Sequence, residues 1–200
     1  LIFQTVALVD KYKQIRNAPL PGHGYDVLFA VRLIEHKNVD ALLDAFDAVA
    51  DDQDATLGII GDGPERERLE AKHQTLTNAG QVEFLGFLDD YEEVLGHMRA
   101  AEIFASPSTR EGFGITFAEA MAAGCTVIGA DHPDSAANEV IGDAGFLVEP
   151  TVDALTTTLD AVLRGDRPSS DPVERAQRYD WDAVADQAET AYQSAIDGSW

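Results

Sequence analysis

The sequence predicts an α/β fold, a doubly wound parallel sheet of about six strands, and three observations lead there. Short apolar runs alternate with longer amphipathic ones along most of the chain. Strand–helix alternation of this kind calls for parallel strands joined by right-handed crossovers, with helices on both faces. The chain has 200 residues and an apolar share of 45%, enough for one sizeable α/β domain with its own core.

Each element has a local justification. Leu1–Pro21 precedes the first regular unit and reads as a connection to something else. Strands are expected at Val27–Val31, Thr56–Ile60, Val82–Leu85, Ile103–Ala105, Thr126–Ala130 and Gly145–Val148. In Asn38–Ala50 the residues Val39, Leu42, Leu43, Phe46 and Val49 share one face at helical spacing. Pro64 stands where a first helical turn starts, ahead of Glu65–Leu76. Further helices are expected at Tyr91–Ala101, Ile115–Ala123, Val152–Leu163 and Trp181–Ile196, with Arg167–Pro172 a surface loop. Ligands of such sheets sit beyond the carboxyl ends of the strands, which is where chemistry is sought.

Composition narrows the function classes. Acidic residues number 36 against 14 basic, a net charge of −22 that repels nucleic acid and anionic lipid. Only Lys11, Lys13, Lys37 and Lys72 are lysines. Such a surface fits a cell with a salty interior, where carboxylates hold water and cations and their repulsion is screened. The lone Cys125 rules out an intramolecular disulfide and suits a reducing cytoplasm. No apolar run approaches ~18 residues, so no transmembrane segment is expected. The chain opens at Leu1 without an initiator Met, so a piece of a longer protein is expected.

The most informative stretch is PSTREGFGITFAEAMAAGCTVIGA, Pro107–Ala130. It follows a strand and becomes a helix at about Ile115. Gly112-Phe113-Gly114 lets backbone approach a ligand, and the first N–H groups of the helix, with its dipole, suit a phosphate. Glu119, one turn in, can accept two hydrogen bonds from a vicinal diol such as a ribose. Glu111, before the glycines, faces what lies beyond the phosphates. The same residues also read as a glycine-rich turn opening a helix, with two surface glutamates, and on chemistry alone neither reading prevails.

A second constellation is VRLIEHKN, Val31–Asn38, at the end of the first strand. Helix starts attract acids, yet Arg32 and Lys37 flank this one; two cations make sense there if an anion sits between them. Solvated charge at a strand end is the alternative. Gly61-Asp62-Gly63-Pro64 alone is a turn and helix start. Asp52-Gln53-Asp54 resembles a metal-binding triplet but trails an amphipathic helix in an Asp-rich chain, and His23, His36, His73, His97 and His132 lack zinc-ligand spacing. Asp131-His132 follows a strand and reads equally as a ligand contact or a plain loop pair. Cys125 reads as core, and no G-x-S-x-G suggests a hydrolase.

RLIEHK, GDGPERERL, VEFLGFL, the Glu111–Glu119 stretch and GDAGFLVEP, in this order and spacing, resemble the carboxy-terminal domain of family-four glycosyltransferases. The similarity runs from about Asp26 to Val148, and RYDWDAVADQAETAY resembles that family's closing helices. The resemblance implies the second, Rossmann-like half of a GT-B enzyme, retaining in stereochemistry. It divides the chain into an interdomain connection remnant at 1–22, a nucleotide-sugar-binding domain at 23–166 and C-terminal helices at 167–200. By the resemblance Arg32 and Lys37 hold a pyrophosphate, the N–H groups of Phe113, Gly114, Ile115 and Thr116 complete the cradle, and Glu111 binds donor-sugar hydroxyls. Glu119 takes the ribose, and the backbone around Phe84, Leu85 and Gly86 lies by the base, with Gly61 and Pro64 near it.

The partners so implied are an NDP-sugar, UDP or GDP unresolved, and a glycan or glycolipid acceptor engaged through a missing N-terminal domain. No cofactor and no metal are expected, and front-face attack is preferred because no carboxylate nucleophile stands out. The full-length protein is expected in the cytoplasm, a peripheral place at the inner membrane face being open to it. Asp131–Glu139 departs from the family's paired glycine and Pro-Glu, with Glu139 filling the Glu position. The Pro-Asn-Gly-Val-Asp string of the family's connection is missing, Leu8-Val9-Asp10 being its remnant. Another GT-B enzyme, such as a sugar-nucleotide epimerase or a phosphorylase, and a non-catalytic nucleotide-sugar-binding module stand as alternatives.

Overall fold

The computed structural model describes residues 8–179 and 193–196. Six parallel strands form one sheet in the order β3-β2-β1-β4-β5-β6. They are β1 (Val27–Ala30), β2 (Leu57–Ile60), β3 (Val82–Gly86), β4 (Ile103–Ser106), β5 (Thr126–Ala130) and β6 (Gly145–Val148). Every residue of β1, β2, β4 and β5 is buried, which explains why these strands read as continuous apolar runs.

The helices are α1 (Leu8–Asn17), α2 (Val39–Asp47), α3 (Ala50–Gln53), α4 (Arg66–His73), α5 (Tyr91–Ala100), α6 (Ile115–Ala123), α7 (Ala137–Ile141), α8 (Val152–Leu163) and α9 (Pro172–Gln177). Leu42, Phe46, Leu69, Leu155 and Leu159 from α2, α4 and α8 pack on one face with Phe29 and Ile59. Ile15, Leu95, Met98, Phe117, Met121, Val140 and Ala176 from α1, α5, α6, α7 and α9 pack on the other with Leu28 and Phe104. Cys125 is wholly buried among the latter, and burial pushes its thiol up to about 12. The chain winds outward from β1 to β3, crosses back under α5, and winds the other way from β4 to β6. That reversal puts a topological switch between β1 and β4.

Several expectations are corrected here. Leu8–Asn17 is a helix with Ile15 inside the core, so a regular unit does precede the first strand; Leu8, Tyr12 and Ile15 stand at helical spacing, but over only ten residues. The helix expected over Asn38–Ala50 ends at Asp47, because Val49 N–H turns to Phe46 O, and a separate turn, α3, follows. α4 stops at His73, where Thr75 and Leu76 N–H close tighter turns onto Lys72 and His73. Glu35–Lys37 and Ala79–Gln81 are 3-10 turns, and α7 arises in a stretch too short for periodicity to show. The helix expected at Trp181–Ile196 lies outside the described residues except for 193–196, which are helical.

One glycine fixes how the strand ends meet. Gly61 has φ +135, and a Cβ on it would lie 2.1 Å from Val31 O. Only a glycine lets the β2 exit touch the β1 exit this closely. Gly61→Ala is therefore expected to cost about 3 kcal/mol, from overpacking and backbone strain together. That should lower Tm by roughly 6–12 °C in a calorimetric scan. A Tm within about 2 °C of the wild type would show that the two loops are not held in this contact.

Candidate functional site

The loops at the carboxyl edge are tied across the switch point. Leu33 N–H donates to Asp62 O at 2.9 Å, and Gly61 N–H donates to Gly86 O at 2.8 Å, joining the exits of β1, β2 and β3. On the other side Thr109 N–H donates to His36 O at 2.9 Å, and Ser108 Oγ donates to the same carbonyl. Lys37 Nζ donates to Glu111 Oε1 at 2.5 Å, with side chains only 8% and 11% exposed. Residues 74 apart in sequence thus form a buried ion pair at the crevice.

The start of α6 faces this crevice. Gly114 caps it in the left-handed conformation, φ 69, and no side chain fills the cap. Its first turn holds no acidic residue, whereas those of α2 to α5 and α7 to α9 each hold at least one. In so acidic a chain, this helix start alone among those seven others is left open to an anion. Phe113 stands edge-on to Tyr179 at 6.2 Å, and Ile115 and Thr116 are half-buried.

Glu119 is fully buried, and Tyr91 Oη donates to its Oε2 at 2.5 Å. Burial and the neighbouring Glu119 raise the Tyr91 phenol above its ordinary value, so the hydroxyl stays a donor. The idea of two surface glutamates is thereby corrected: Glu111 and Glu119 both lie inside, each in a specific contact.

Tyr91 also borders a cavity of about 420 Å³ at the ends of β1, β2 and β3, with Val31, Arg32, Gly61, Phe87 and Leu88. Arg32 is exposed there and has no ion pair with the described residues. Phe84 and Leu85 send their side chains into the two cores. Phe84 stands 5.5 Å from the His73 ring, and the wall is made further along, by Phe87–Asp89. Pro64 is exposed and does not border the cavity. The residues missed from sequence are thus Phe87, Leu88 and Tyr91; exposed apolar side chains between a strand exit and a helix start were the available signal. A second cavity, of about 470 Å³, lies behind α5 between Pro19, Tyr25, Glu83 and His97.

The family model described as glycosyl transferases group 1 matches residues 10–179. The chain belongs to this family. It is similar to a phosphatidyl-myo-inositol mannosyltransferase from Mycolicibacterium smegmatis, 35% identical over 89% of the chain and 48% of that relative. Among solved structures it is similar to the C-terminal domain of a glycosyl transferase group 1 family protein from Francisella tularensis. That likeness has 28% identity and a TM-score of 0.64, and covers 89% of this chain and 92% of the other. Anabaena HepE, solved in complex with UDP and glucose, is 25% identical with a TM-score of 0.69, covering 93% and 52%. The chain thus spans about half the length of the curated relatives it matches. The α/β, Rossmann-like sheet expected from the resemblance is the one observed. No helix among the described residues is long and apolar enough to cross a membrane.

A buried ion pair is most sensitive to losing one member, since the other charge is left uncompensated. Lys37→Met and Glu111→Leu should each destabilise by about 3–5 kcal/mol, read as a lowered urea midpoint. The double variant should recover most of that loss. Additive losses in the double variant would mean that the two side chains do not form a pair.

Proposed function

We propose that this chain binds the nucleotide-sugar donor of a retaining glycosyltransferase, which moves a hexosyl unit from an NDP-sugar to a glycan or lipid-linked acceptor. The observation that carries this reading is the α6 start, free of acid and uncapped by any side chain, on the connection that leaves β4 next to β1, whose own exit carries the exposed Arg32. The N–H groups of Phe113, Gly114, Ile115 and Thr116 and the Arg32 guanidinium take the diphosphate, matching the charge that grows on it as the sugar departs. The base lies in the cavity against Phe87 and Leu88, and Glu119 accepts from the ribose diol. The acceptor side and the closure that excludes water lie with the rest of the protein.

In this reading Lys37 has two successive partners. Without ligand it neutralises Glu111; with donor bound it turns to the β-phosphate and releases Glu111 toward the sugar hydroxyls. Protein cations stand in for a divalent metal, and the Asp52 and Asp54 carboxylates at the end of α3 take no part. The names of the relatives give no support to an epimerase, a phosphorylase or a binding module. We further read the net charge of −22 as a surface suited to a salty cytoplasm.

Calorimetry with UDP and GDP at high salt tests the reading. Arg32→Ala should weaken the diphosphate by roughly 10- to 150-fold, the worth of a charge-assisted contact, and leave the bare nucleoside unaffected. Glu111→Gln should hold the sugar-free diphosphate no more weakly than wild type, since it releases Lys37, yet discriminate less among sugars. Equal losses for nucleoside and diphosphate in Arg32→Ala would assign the guanidinium to the fold alone, and abolition of binding by EDTA would overturn the metal-free site.

Thermal stability should also rise steadily from low salt to molar KCl. A flat response would refute the salt-adapted surface.

A further inference from the structure

The end of α9 returns to the loop that opens α6. Arg175 and Tyr179 both reach the backbone of α7: Arg175 donates to the carbonyls of Glu139 and Val140, and the Tyr179 hydroxyl donates to Glu139 O at 2.8 Å. The Tyr179 ring packs against the core face that holds α6 and α7, and it meets the Phe113 ring edge-on at 6.2 Å. The same α7 holds the beginning of the loop, since Ala136 N–H donates to Glu111 O at 3.0 Å. Between these two ties lies Gly112, exposed and with nothing within 4 Å of where a Cβ would stand. Glycine has the widest choice of backbone conformations, so this loop keeps one shape only as far as its neighbours hold it.

From this circuit we infer that Tyr179 is a positioning residue: its ring fixes Phe113 and thereby holds the N–H groups of residues 113–116 in the orientation that receives a diphosphate. The inference rests on the reading of the α6 start as the phosphate site. Backbone N–H groups grip an anion when several converge on it together, and a glycine-containing loop that must be ordered after the anion arrives binds it more weakly. Tyr179 is held at its hydroxyl by α7 and along its ring by the core, so it can hold Phe113 in turn. A Tyr179 that merely fastened α9 to α7 would have no bearing on how much better the chain binds a diphosphate than a nucleoside.

The test applies calorimetry to the whole chain with UDP, GDP, uridine and guanosine, together with amide relaxation by NMR. Tyr179→Leu should weaken the diphosphates by roughly 2- to 12-fold, the worth of an aromatic edge contact, and leave the nucleosides unchanged. In the same variant the order parameters of the Gly112 and Gly114 amides should fall. Tyr179→Phe keeps the ring and should lose less by both measures. Phe113→Leu breaks the contact from the loop side and should match Tyr179→Leu, and the double variant should be no worse than either alone. Wild-type order parameters and diphosphate affinity in Tyr179→Leu, whatever its Tm, would assign the residue to the fold alone and overturn the inference, leaving the phosphate site standing. Equal losses for diphosphates and nucleosides would contradict it in the same way. Amide shifts at residues 112–116 that neither UDP nor GDP moves in the wild type would overturn the phosphate reading, and the positioning role with it.

Discussion

β1 and β4 are hydrogen-bonded neighbours although 72 residues of chain connect His36 to Ser108 at their exits, and their loops diverge to opposite faces of the sheet. A crevice between such loops tends to fill with solvent unless something closes it. Here the closure is the Lys37–Glu111 ion pair, set on the contacts of Ser108 and Thr109 with the His36 carbonyl. Two buried charges carry a desolvation penalty of several kcal/mol each, which their attraction offsets only with good geometry. The arrangement makes sense if the pair is also a store of charge: it keeps Lys37 ready at the crevice in a chain with few lysines, without leaving a bare cation buried.

The electrostatics of the remaining surface sharpen this point. Arg66, Arg68, Lys72, Arg164 and Arg167 all pair with carboxylates on the surface. Such exposed pairs contribute little to stability and less at high salt. They do, however, neutralise these five cations on the outer surface. Arg32 is left facing the cavity, and the α6 start is left without an acid. Arg32 and the α6 start thus offer an anion a foothold on a chain whose net charge of −22 otherwise repels it.

The four inner strands were legible because both sheet faces are covered there, so each had to be a short apolar run; the expected bounds of β5 and β6 coincide with those observed. Helices with a wide apolar stripe, α2 and α8, were legible for the same reason. α1 was not, because in ten residues its apolar spacing hardly repeats, and α7 was too brief for its pattern to repeat. At the site, glycines and glutamates in one contiguous stretch could be read directly. The Lys37–Glu111 and Tyr91–Glu119 contacts could not, since each joins two crossovers whose adjacency depends on strand order. Tyr91 read only as the beginning of a helix.

The central claim is that a nucleoside diphosphate binds at the β1–β4 switch, against the start of α6. The most direct measurement is a two-dimensional amide NMR titration of the isotope-labelled chain with UDP and with GDP. The largest shift changes are expected at Gly112–Thr116, with further changes at Arg32, at Gly61–Gly63 and along Phe87–Tyr91. Changes confined to Pro19–Tyr25 and Glu93–His97, around the cavity behind α5, would place the nucleotide elsewhere and contradict it.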